Sequence, residues 1–386
     1  MADLLDHKVD KVPTVRKFPV IDTDHHPGIN QNDAVFLNRL PERWREYMEM
    51  IGVRFTGQMA TTPTQRSMTH RLDSVDESGR TGVSIPLIRE QVLDKYDVSG
   101  AVITSTLGAR IGRGGGNCPQ ELACEISRAA NEAMREHYLE ADPRFYGAIC
   151  APVEVPAEAV KEIQRLKDGD MGHRWVEMLI EPGTDYAMGN PKYWPVYEAL
   201  EHYDIPISVH VSGLSRRSTG TGQQNYYFEA HCNIALRNYS MVPSMVFEGV
   251  FDRFPNLKMT LTEQSWSWAV PLAWRMDATY NVMRREVSHL QRKPSEYIRD
   301  HFYFHTQPLE ETEFAEDLKE LWDQFLDFGL GEHLMFATDY PHWDFDSPYS
   351  LPAFLGDDLR RSILAETASR VYHIPLLENS GISLPA

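Results

Sequence analysis

Short apolar segments alternate with longer amphipathic segments along most of the chain. The short segments are rich in β-branched and aromatic residues and read as strands; they are residues 18–24, 99–105, 145–152, 174–180, 205–211, 257–263, 301–306 and 333–339. The longer segments carry apolar residues at helical spacing; they are residues 119–141, 156–169, 190–203, 230–252, 266–292, 309–328 and 356–372. Strands that alternate with crossover helices predict a parallel sheet. Eight such units favour a (β/α)8, TIM-like barrel over an open doubly wound sheet.

One segment departs from this alternation. Residues 27–98 are too long for a simple connection between a strand and a helix, and they are rich in Arg, Thr, Ser and Gly. In a barrel this segment follows strand one, so we predict an inserted lid over the catalytic face, with helix near 41–50 and 86–95. The sequence contains no internal repeat and no linker that would divide it. We therefore expect a single domain over residues 1–386.

Charge and composition narrow the class of partner. The formal net charge is −18 and no Lys/Arg-rich block occurs, which argues against nucleic acid and anionic membranes as partners. The N-terminal residues "MADLLDHKVDKVP" lack the apolar core of a signal peptide, and no segment reaches transmembrane length. The four cysteines form no CxxC pair. We expect a cytoplasmic protein that acts on a small molecule.

Acidic and histidine residues lie at the C-terminal ends of three predicted strands. Asp24 and His26 share one face of strand one, His210 ends strand five and Asp339 ends strand eight. Taken singly, each has a plainer explanation as a cap, a turn residue or a buried structural histidine. Because these strand ends meet at one face of a barrel, together they predict a site for a divalent metal ion. Two imidazoles and two carboxylates suit Zn²⁺ best, with Mn²⁺ or Fe²⁺ as alternatives.

The motifs that carry these residues resemble those of a known family. "DTDHH" after strand one, "HVSG" at the end of strand five and "FATDYPH" at the end of strand eight are similar to motifs of the amidohydrolase superfamily. Within it, the chain resembles the branch that contains aminocarboxymuconate-semialdehyde decarboxylase and γ-resorcylate-type decarboxylases. "FPNLKMTLTE" and "ILAETASRVYHI" support the resemblance, which covers residues 18–27 and 99–373.

The resemblance implies a metal-dependent enzyme. The metal ligands it implies are Asp24, His26, His210 and Asp339, and the activity is non-oxidative decarboxylation of an aromatic or conjugated carboxylic acid. Many members have His in place of Asp24, and many decarboxylases have His in place of Glu263. The same ligands also serve a metal-dependent hydrolase of an amide, lactone or C–C bond, which is the alternative function. A barrel kept only as a binding or scaffold protein is the third.

The number of metal ions and the remaining site residues follow from the same comparison. Binuclear members often use a carboxylated lysine on strand four, and this chain has no lysine between Lys167 and Lys192. We therefore expect one metal ion, although Glu181 could bridge a second. The candidates for proton transfer are Asp339, Glu263, His342 and His231. The candidates for substrate binding are Arg216 and Arg217, which could grip a second carboxylate, and Trp343. Loop aromatics such as Trp343 also suggest contacts in a homodimer or higher homo-oligomer.

Overall fold

The sheet of the barrel contains eight parallel strands in chain order. The computed structural model describes residues 18–29, 33–51, 70–105, 108–109, 119–181, 184–211 and 227–376. The strands are β1 (Val20–His25), β2 (Val98–Ile103), β3 (Phe145–Cys150), β4 (Trp175–Ile180), β5 (Ile207–His210), β6 (Met259–Thr262), β7 (Phe302–His305) and β8 (Leu334–Met335). Each strand pairs in parallel with the next. This order confirms the predicted (β/α)8 architecture.

The barrel closes between β1 and the chain that follows β8. The amide of Thr23 donates to the carbonyl of Phe336 (3.0 Å), and the amide of Asp339 donates to the carbonyl of Asp24 (3.1 Å). The backbone amide of His26 likewise donates to the carbonyl of Tyr340 (2.7 Å). Regular strand geometry in β8 ends at Met335, four residues before the end predicted from sequence. The irregular continuation still pairs with β1, so the strand ends are brought together as expected.

Helices cover the outside of the sheet. The α-helices are Ala34–Leu37, Glu42–Ile51, Ile85–Ile88, Gln120–Met134, Pro156–Lys167, Trp194–His202, Tyr227–His231, Asn238–Phe247, Val250–Arg253, Ala269–Met283, Pro294–His301, Ala315–Asp327, Asp357–Arg361 and Thr367–Tyr372. Three of them continue into π-helical turns: Arg89–Leu93, Arg135–Leu139 and Ser362–Glu366. Short 3₁₀ turns lie at Leu72–Ser74, Gly172–Arg174, Pro191–Tyr193 and Gly331–His333. None of the described helices combines the length and the apolar run that a bilayer crossing needs.

Two predicted helices differ from those in the structure. The segment 230–252 is divided, partly because Gly249 adopts a φ of 74°, in the left-handed region, before the short helix Val250–Arg253. The segment 266–292 ends as a helix at Met283, since residues 281–286 are all exposed and offer no buried face to hold another turn. A separate helix, Pro294–His301, then begins with proline at its first position.

The described parts of the insertion pack against the barrel. Phe36, Met48 and Ile88 belong to the same buried apolar cluster as the barrel residues. The amide of Arg71 donates to the carbonyl of Pro341 (2.8 Å), which ties the insertion to the loop after β8. The helices predicted near 41–50 and 86–95 are present in this region. The role of the insertion as a lid and the single-domain organisation stay predictions.

The barrel interior also contains a buried polar network, which we call the Glu177 network: Glu177, Tyr372, Thr260, His305 and Thr23. The hydroxyl of Tyr372 donates to Glu177 Oε2 (2.8 Å), and that of Thr260 lies 3.4 Å from the same oxygen. His305 is 3.3 Å from the Tyr372 hydroxyl through Nε2 and 3.3 Å from the Thr23 hydroxyl through Nδ1. Since these residues come from β1, β4, β6, β7 and the last helix, they meet inside the barrel.

Candidate metal centre

Side chains that could hold a cation converge at the C-terminal ends of the strands. Two groups have ligand atoms within 4.8 Å of one another: Asp24, His26, His210 and Glu263, and His26, Glu263, Asp339 and His342. Both groups contain His26 and Glu263, so among the described residues they form one centre. Asp24, His26 and His210 belong to the first group, and His26 and Asp339 belong to the second. Each ligand predicted from sequence therefore lies in one of the two groups, and neither group holds all four. Glu181 is buried but belongs to neither group.

The imidazole nitrogens and carboxylate oxygens of these side chains lie close to one another. His26 Nε2 lies 2.9 Å from Asp339 Oδ1, 3.7 Å from Asp24 Oδ1 and 3.3 Å from His210 Nε2. His210 Nε2 lies 3.1 Å from Glu263 Oε2 and 3.6 Å from Asp24 Oδ2. Both imidazoles therefore present Nε2 to the same small volume, and three carboxylates border it.

The backbone conformation directs two of the carboxylates towards the candidate metal centre. Glu263 follows β6 with a φ of 54°, and Asp339 follows β8 with a φ of 57°. Non-glycine residues rarely adopt this left-handed conformation, and where they do they are often found at functional sites. Strand parity predicted an inward Asp339 at the end of a regular strand. Its actual position results from this turn of the backbone after β8 has ended.

Neighbouring groups fix the orientation of the ligands. His210 Nδ1 donates to the carbonyl of Val211 (2.5 Å), which leaves Nε2 as the nitrogen with a free lone pair. Thr104 donates to Asp24 Oδ1 (2.5 Å). Gln307 Nε2 donates to Asp339 Oδ2 (3.1 Å). Each ligand with such a partner is oriented before any cation binds.

The two aspartates have pKa values displaced in opposite directions. Burial disfavours the charged form of Asp24, yet His26 and His210 hold the pKa of this carboxyl well below its usual range. Burial raises the pKa of Asp339 well above its usual range, and the negative charges of Glu263, Asp344 and Asp24 add to the effect. Two carboxyl groups whose surroundings separate their pKa values in this way are a common sign of divided acid and base roles.

The pKa values of the two imidazoles are also displaced in opposite directions. Burial lowers the pKa of His26 well below its ordinary value, although Asp24 acts against this. Burial lowers the pKa of His210 as well, but hydrogen bonds to Asp24 and Glu263 outweigh it, so the net direction is upward. The carboxylates around His210 thus favour a positive charge at its Nε2, which is a proton when no cation is bound and the cation when one is.

These residues fit a divalent metal ion. Asp24 Oδ2 is buried and has no hydrogen-bond partner in the described part of the chain, which is costly for a carboxylate oxygen unless a cation is nearby. Two imidazole nitrogens and several carboxylate oxygens are the donors that Zn²⁺, Mn²⁺ and Fe²⁺ accept in proteins. The structure therefore supports a single divalent-metal site.

The other residues singled out from sequence lie at different distances from this centre. His342 Nδ1 is 2.6 Å from Asp339 Oδ1 and its ring is 4.3 Å from that of His26, so it borders the site. His231 instead contacts Asp344, at 2.8 Å. Trp343 is 46% exposed at the mouth, with its ring 5.6 Å from that of His231. Arg216 and Arg217 lie outside the described residues.

Sequence analysis missed three residues beside the site. Gln307 follows β7, and its signal in the sequence is a polar residue after a strand, which is too common to single it out. Thr104 follows β2 in the same way. His70 comes from the insertion, and its ring stacks on that of His342 at 5.1 Å and 12°. No pattern in the insertion marks His70, because its position depends on tertiary packing.

Comparisons with known proteins identify relatives of this chain. Two curated relatives are γ-resorcylate decarboxylases: one from Polaromonas sp. strain JS666, 24% identical over 239 residues, and one from Rhodococcus jostii strain RHA1, 23% identical over 246 residues. Each match covers 58% of this chain and 68% of the relative.

Solved structures share the fold over nearly the whole chain. A 2,6-dihydroxybenzoate decarboxylase from Rhizobium has a TM-score of 0.61 at 18% identity, covering 92% of this chain and 99% of its own. The 5-carboxyvanillate decarboxylase of Sphingomonas paucimobilis has a TM-score of 0.65 at 19% identity, covering 93% and 100%. A family model described as amidohydrolase matches residues 21–374. The chain therefore belongs to the amidohydrolase family, as its motifs predicted.

Proposed function

We propose that the protein is a metal-dependent, non-oxidative decarboxylase of an aromatic or conjugated carboxylic acid. The observation that carries the proposal is Asp339, a buried carboxyl that borders the candidate metal centre and whose pKa is raised above its usual range by burial and by neighbouring carboxylates. Decarboxylation needs such a proton donor at the carbon that loses CO₂. The relatives named as γ-resorcylate decarboxylases support the same reaction.

In this proposal Asp24, His26, His210 and Asp339 hold one divalent ion, and Glu263 borders it. When bound, the ion would neutralise and orient the acidic groups of the substrate. Zinc is the ion predicted from the sequence. Mn²⁺ is the second ion to test, because the donor set is rich in carboxylates. In addition, a dihydroxybenzoic acid decarboxylase of Polaromonas and a 5-carboxyvanillate decarboxylase of Novosphingobium aromaticivorans were crystallised with manganese.

The proposed chemical step is a proton transfer coupled to loss of CO₂. Asp339 gives its proton to the ring or vinyl carbon that carries the carboxylate, and a C–H bond forms there. The bond from that carbon to the carboxylate carbon then breaks, its electron pair stays with the carbon skeleton, and CO₂ leaves. Asp339 regains a proton from solvent, and His342, 2.6 Å from Asp339 Oδ1, is placed to pass it on.

Glu263 supports this step by its charge. It lies where many related decarboxylases have histidine, and its carboxylate raises the pKa of Asp339. The same carboxylate could instead accept a proton from water, which is the observation that keeps hydrolysis of an amide, lactone or C–C bond as the second candidate. Trp343 at the mouth, together with Arg216 and Arg217, is proposed to contact the substrate. A reducing cytoplasm as the location stays a prediction.

The experiment is to incubate the metal-loaded protein with hydroxybenzoates, 5-carboxyvanillate and muconate-type acids in D₂O. We expect CO₂ release and deuterium at the carbon that lost it. Asp339→Asn should abolish both, whereas Asp22→Asn should not; Asp22 is an equally buried carboxylate of β1 that accepts from Thr338 at 2.8 and 2.6 Å. Cleavage of esters, lactones or anilides without CO₂ release would reject decarboxylation in favour of hydrolysis.

We also propose a homodimer or higher homo-oligomer. Trp274, Val282 and Met283 on the helix Ala269–Met283 are 54%, 84% and 53% exposed, which supports a contact between copies of the chain. Light scattering after size-exclusion chromatography would give the molar mass. A mass of one chain at micromolar concentration would reject this proposal.

A further inference from the structure

Gln307 is a fully buried side chain beside the site that the proposed reaction does not use. It lies two residues after the end of β7. Its Nε2 is 3.1 Å from Asp339 Oδ2 and 3.1 Å from Asp344 Oδ2. One amide nitrogen therefore bridges two carboxyl groups from the segment that follows β8.

The orientation of this amide follows from its neighbours. Asp344 Oδ2 also faces His231 Nε2, at 2.8 Å. A flipped amide would place the Gln307 oxygen against this carboxylate, which offers no proton while it accepts from His231. The nitrogen must therefore face the two carboxyl groups, and its two N–H bonds suffice for one donation to each.

The other end of the amide indicates a role beyond packing. Gln307 Oε1 is buried and has no hydrogen-bond partner among the residues that the structure describes. An unsatisfied amide oxygen in the interior destabilises the fold, so the side chain is not explained by satisfied core packing. What it does provide is the donation to Asp339 Oδ2.

That donation separates the two oxygens of Asp339. Oδ2 is engaged by Gln307, while Oδ1 faces His26 at 2.9 Å and His342 at 2.6 Å. We propose that Gln307 is a positioning residue that fixes the rotation of the Asp339 carboxyl, so that Oδ1 is the oxygen presented to the metal ion and the substrate. Asp344 and His231 hold Gln307 from its other side.

The inference predicts a change in metal binding that needs no substrate. Gln307→Met keeps the length of the side chain and removes both N–H bonds. Loss of an outer-shell partner typically weakens metal affinity by about 10–100-fold. We expect that loss for Mn²⁺ binding to the chelator-stripped full-length protein, measured by calorimetry, with the metal-to-protein ratio at saturation unchanged. Gln307→Asn, which keeps the amide but is one methylene shorter, should lose less.

A matched control separates positioning from general destabilisation. Asn131 is also fully buried, and its amide nitrogen also bridges two acceptors, Glu162 Oε1 (2.7 Å) and the carbonyl of Cys150 (2.8 Å). Asn131→Leu should lower the melting temperature but keep wild-type Mn²⁺ affinity. The inference is overturned if Gln307→Met binds Mn²⁺ within twofold of wild type, or if Asn131→Leu loses as much affinity. If Gln307→Met does not fold, Gln307→Leu, which also removes both N–H bonds, decides on the same criterion.

Turnover gives the second readout, and this part rests on the proposed decarboxylation. With any acid that the wild type converts, Gln307→Met should lower kcat by about 10–100-fold and change KM much less, because Asp339 acts on the reacting carbon. If the wild type converts no acid, the proposed function is rejected. The Mn²⁺ affinity of Gln307→Met then still tests whether Gln307 is a positioning residue. Should the wild type be active and Gln307→Met equal it in both readouts, only the inference fails.

Discussion

The candidate metal centre and the Glu177 network are both buried polar clusters inside one barrel, yet they are built in opposite ways. In the Glu177 network one carboxyl group lies beside hydroxyl groups, and the Tyr372 hydroxyl that donates to it also lies 3.3 Å from His305. In the metal centre three carboxylates crowd two imidazoles. Among the described residues each cluster contains a buried carboxylate oxygen without a hydrogen-bond partner, Glu177 Oε1 and Asp24 Oδ2, so neither burial nor an unpartnered oxygen alone marks a functional site. Several carboxylates crowded around one small volume do, because only a cation or a bound proton can compensate their charge.

The largest expected effect comes from a histidine of each cluster. His210→Ala should lower turnover by more than about 100-fold, since it removes a proposed metal ligand and even outer-shell losses cost about 10–100-fold. His305→Ala should keep the bound metal, because His305 belongs to neither group of candidate ligands. Burial lowers the pKa of its imidazole to about 4, so this side chain is neutral in the fold. Metal analysis of both purified variants checks this. Equal metal loss in the two would erase the distinction between the clusters.

Removal of the metal should be the next largest effect. A ligand at 1,000 times its Kd stabilises the folded state by about 4 kcal/mol, so chelation should lower the melting temperature by several degrees. Calorimetric scans with and without EDTA measure the shift. Substitutions in the Glu177 network should leave the size of this shift unchanged. If the melting temperature is the same with and without EDTA, no ion stabilises the wild-type fold.

Glu177 provides a pH test of the second cluster. Burial raises the pKa of Glu177 to about 8, even though Tyr372 donates to it. In the unfolded chain a glutamate titrates near about 4.3, so the protonated carboxyl stabilises the fold fully below that pH, and this contribution is lost as pH rises through about 8. Glu177→Gln cannot ionise at this position. Its free energy of unfolding should therefore exceed that of wild type by a few kcal/mol at pH 9, and by much less at pH 5.

Denaturant titrations at the two pH values give these differences. Asp24→Asn in the metal centre is the contrasting variant. Because the pKa of Asp24 is lowered rather than raised, we do not expect the stability of this variant relative to wild type to rise between pH 5 and pH 9. A pH-independent difference between Glu177→Gln and wild type would show that Glu177 is already ionised in the fold.

The smallest effect is expected from a single hydroxyl. Tyr372→Phe leaves Glu177 Oε2 without its 2.8 Å donor, which should cost about 1–3 kcal/mol in the free energy of unfolding. Metal content and turnover should stay at wild-type values. Chemical denaturation and metal analysis check the two statements. A loss of bound metal in this variant would mean that the clusters are coupled.

The fold could be predicted from sequence because its signals are local. Apolar runs of strand length recur with helical segments between them, and all eight strands lie inside or within one residue of the predicted segments. The errors arose where context overrides pattern. The segment 266–292 has helical spacing to its end, but only packing reveals that residues 281–286 have nothing to bury against.

The site was predicted in part, for a related reason. Asp24, His26, His210 and Asp339 sit at strand ends, where barrel geometry alone brings them together. Gln307 has the same placement, but an amide has too many ordinary uses to be singled out without its distances to Asp339 and Asp344. His70 reaches the site through an insertion whose path no periodicity describes.

Anomalous diffraction from crystals grown with Mn²⁺ would test most directly whether these side chains share one cation. The account predicts a single strong peak about 2.0–2.3 Å from the imidazole nitrogens of His26 and His210 and from carboxylate oxygens of Asp24 and Asp339. A peak elsewhere, or none at saturating Mn²⁺, would contradict it.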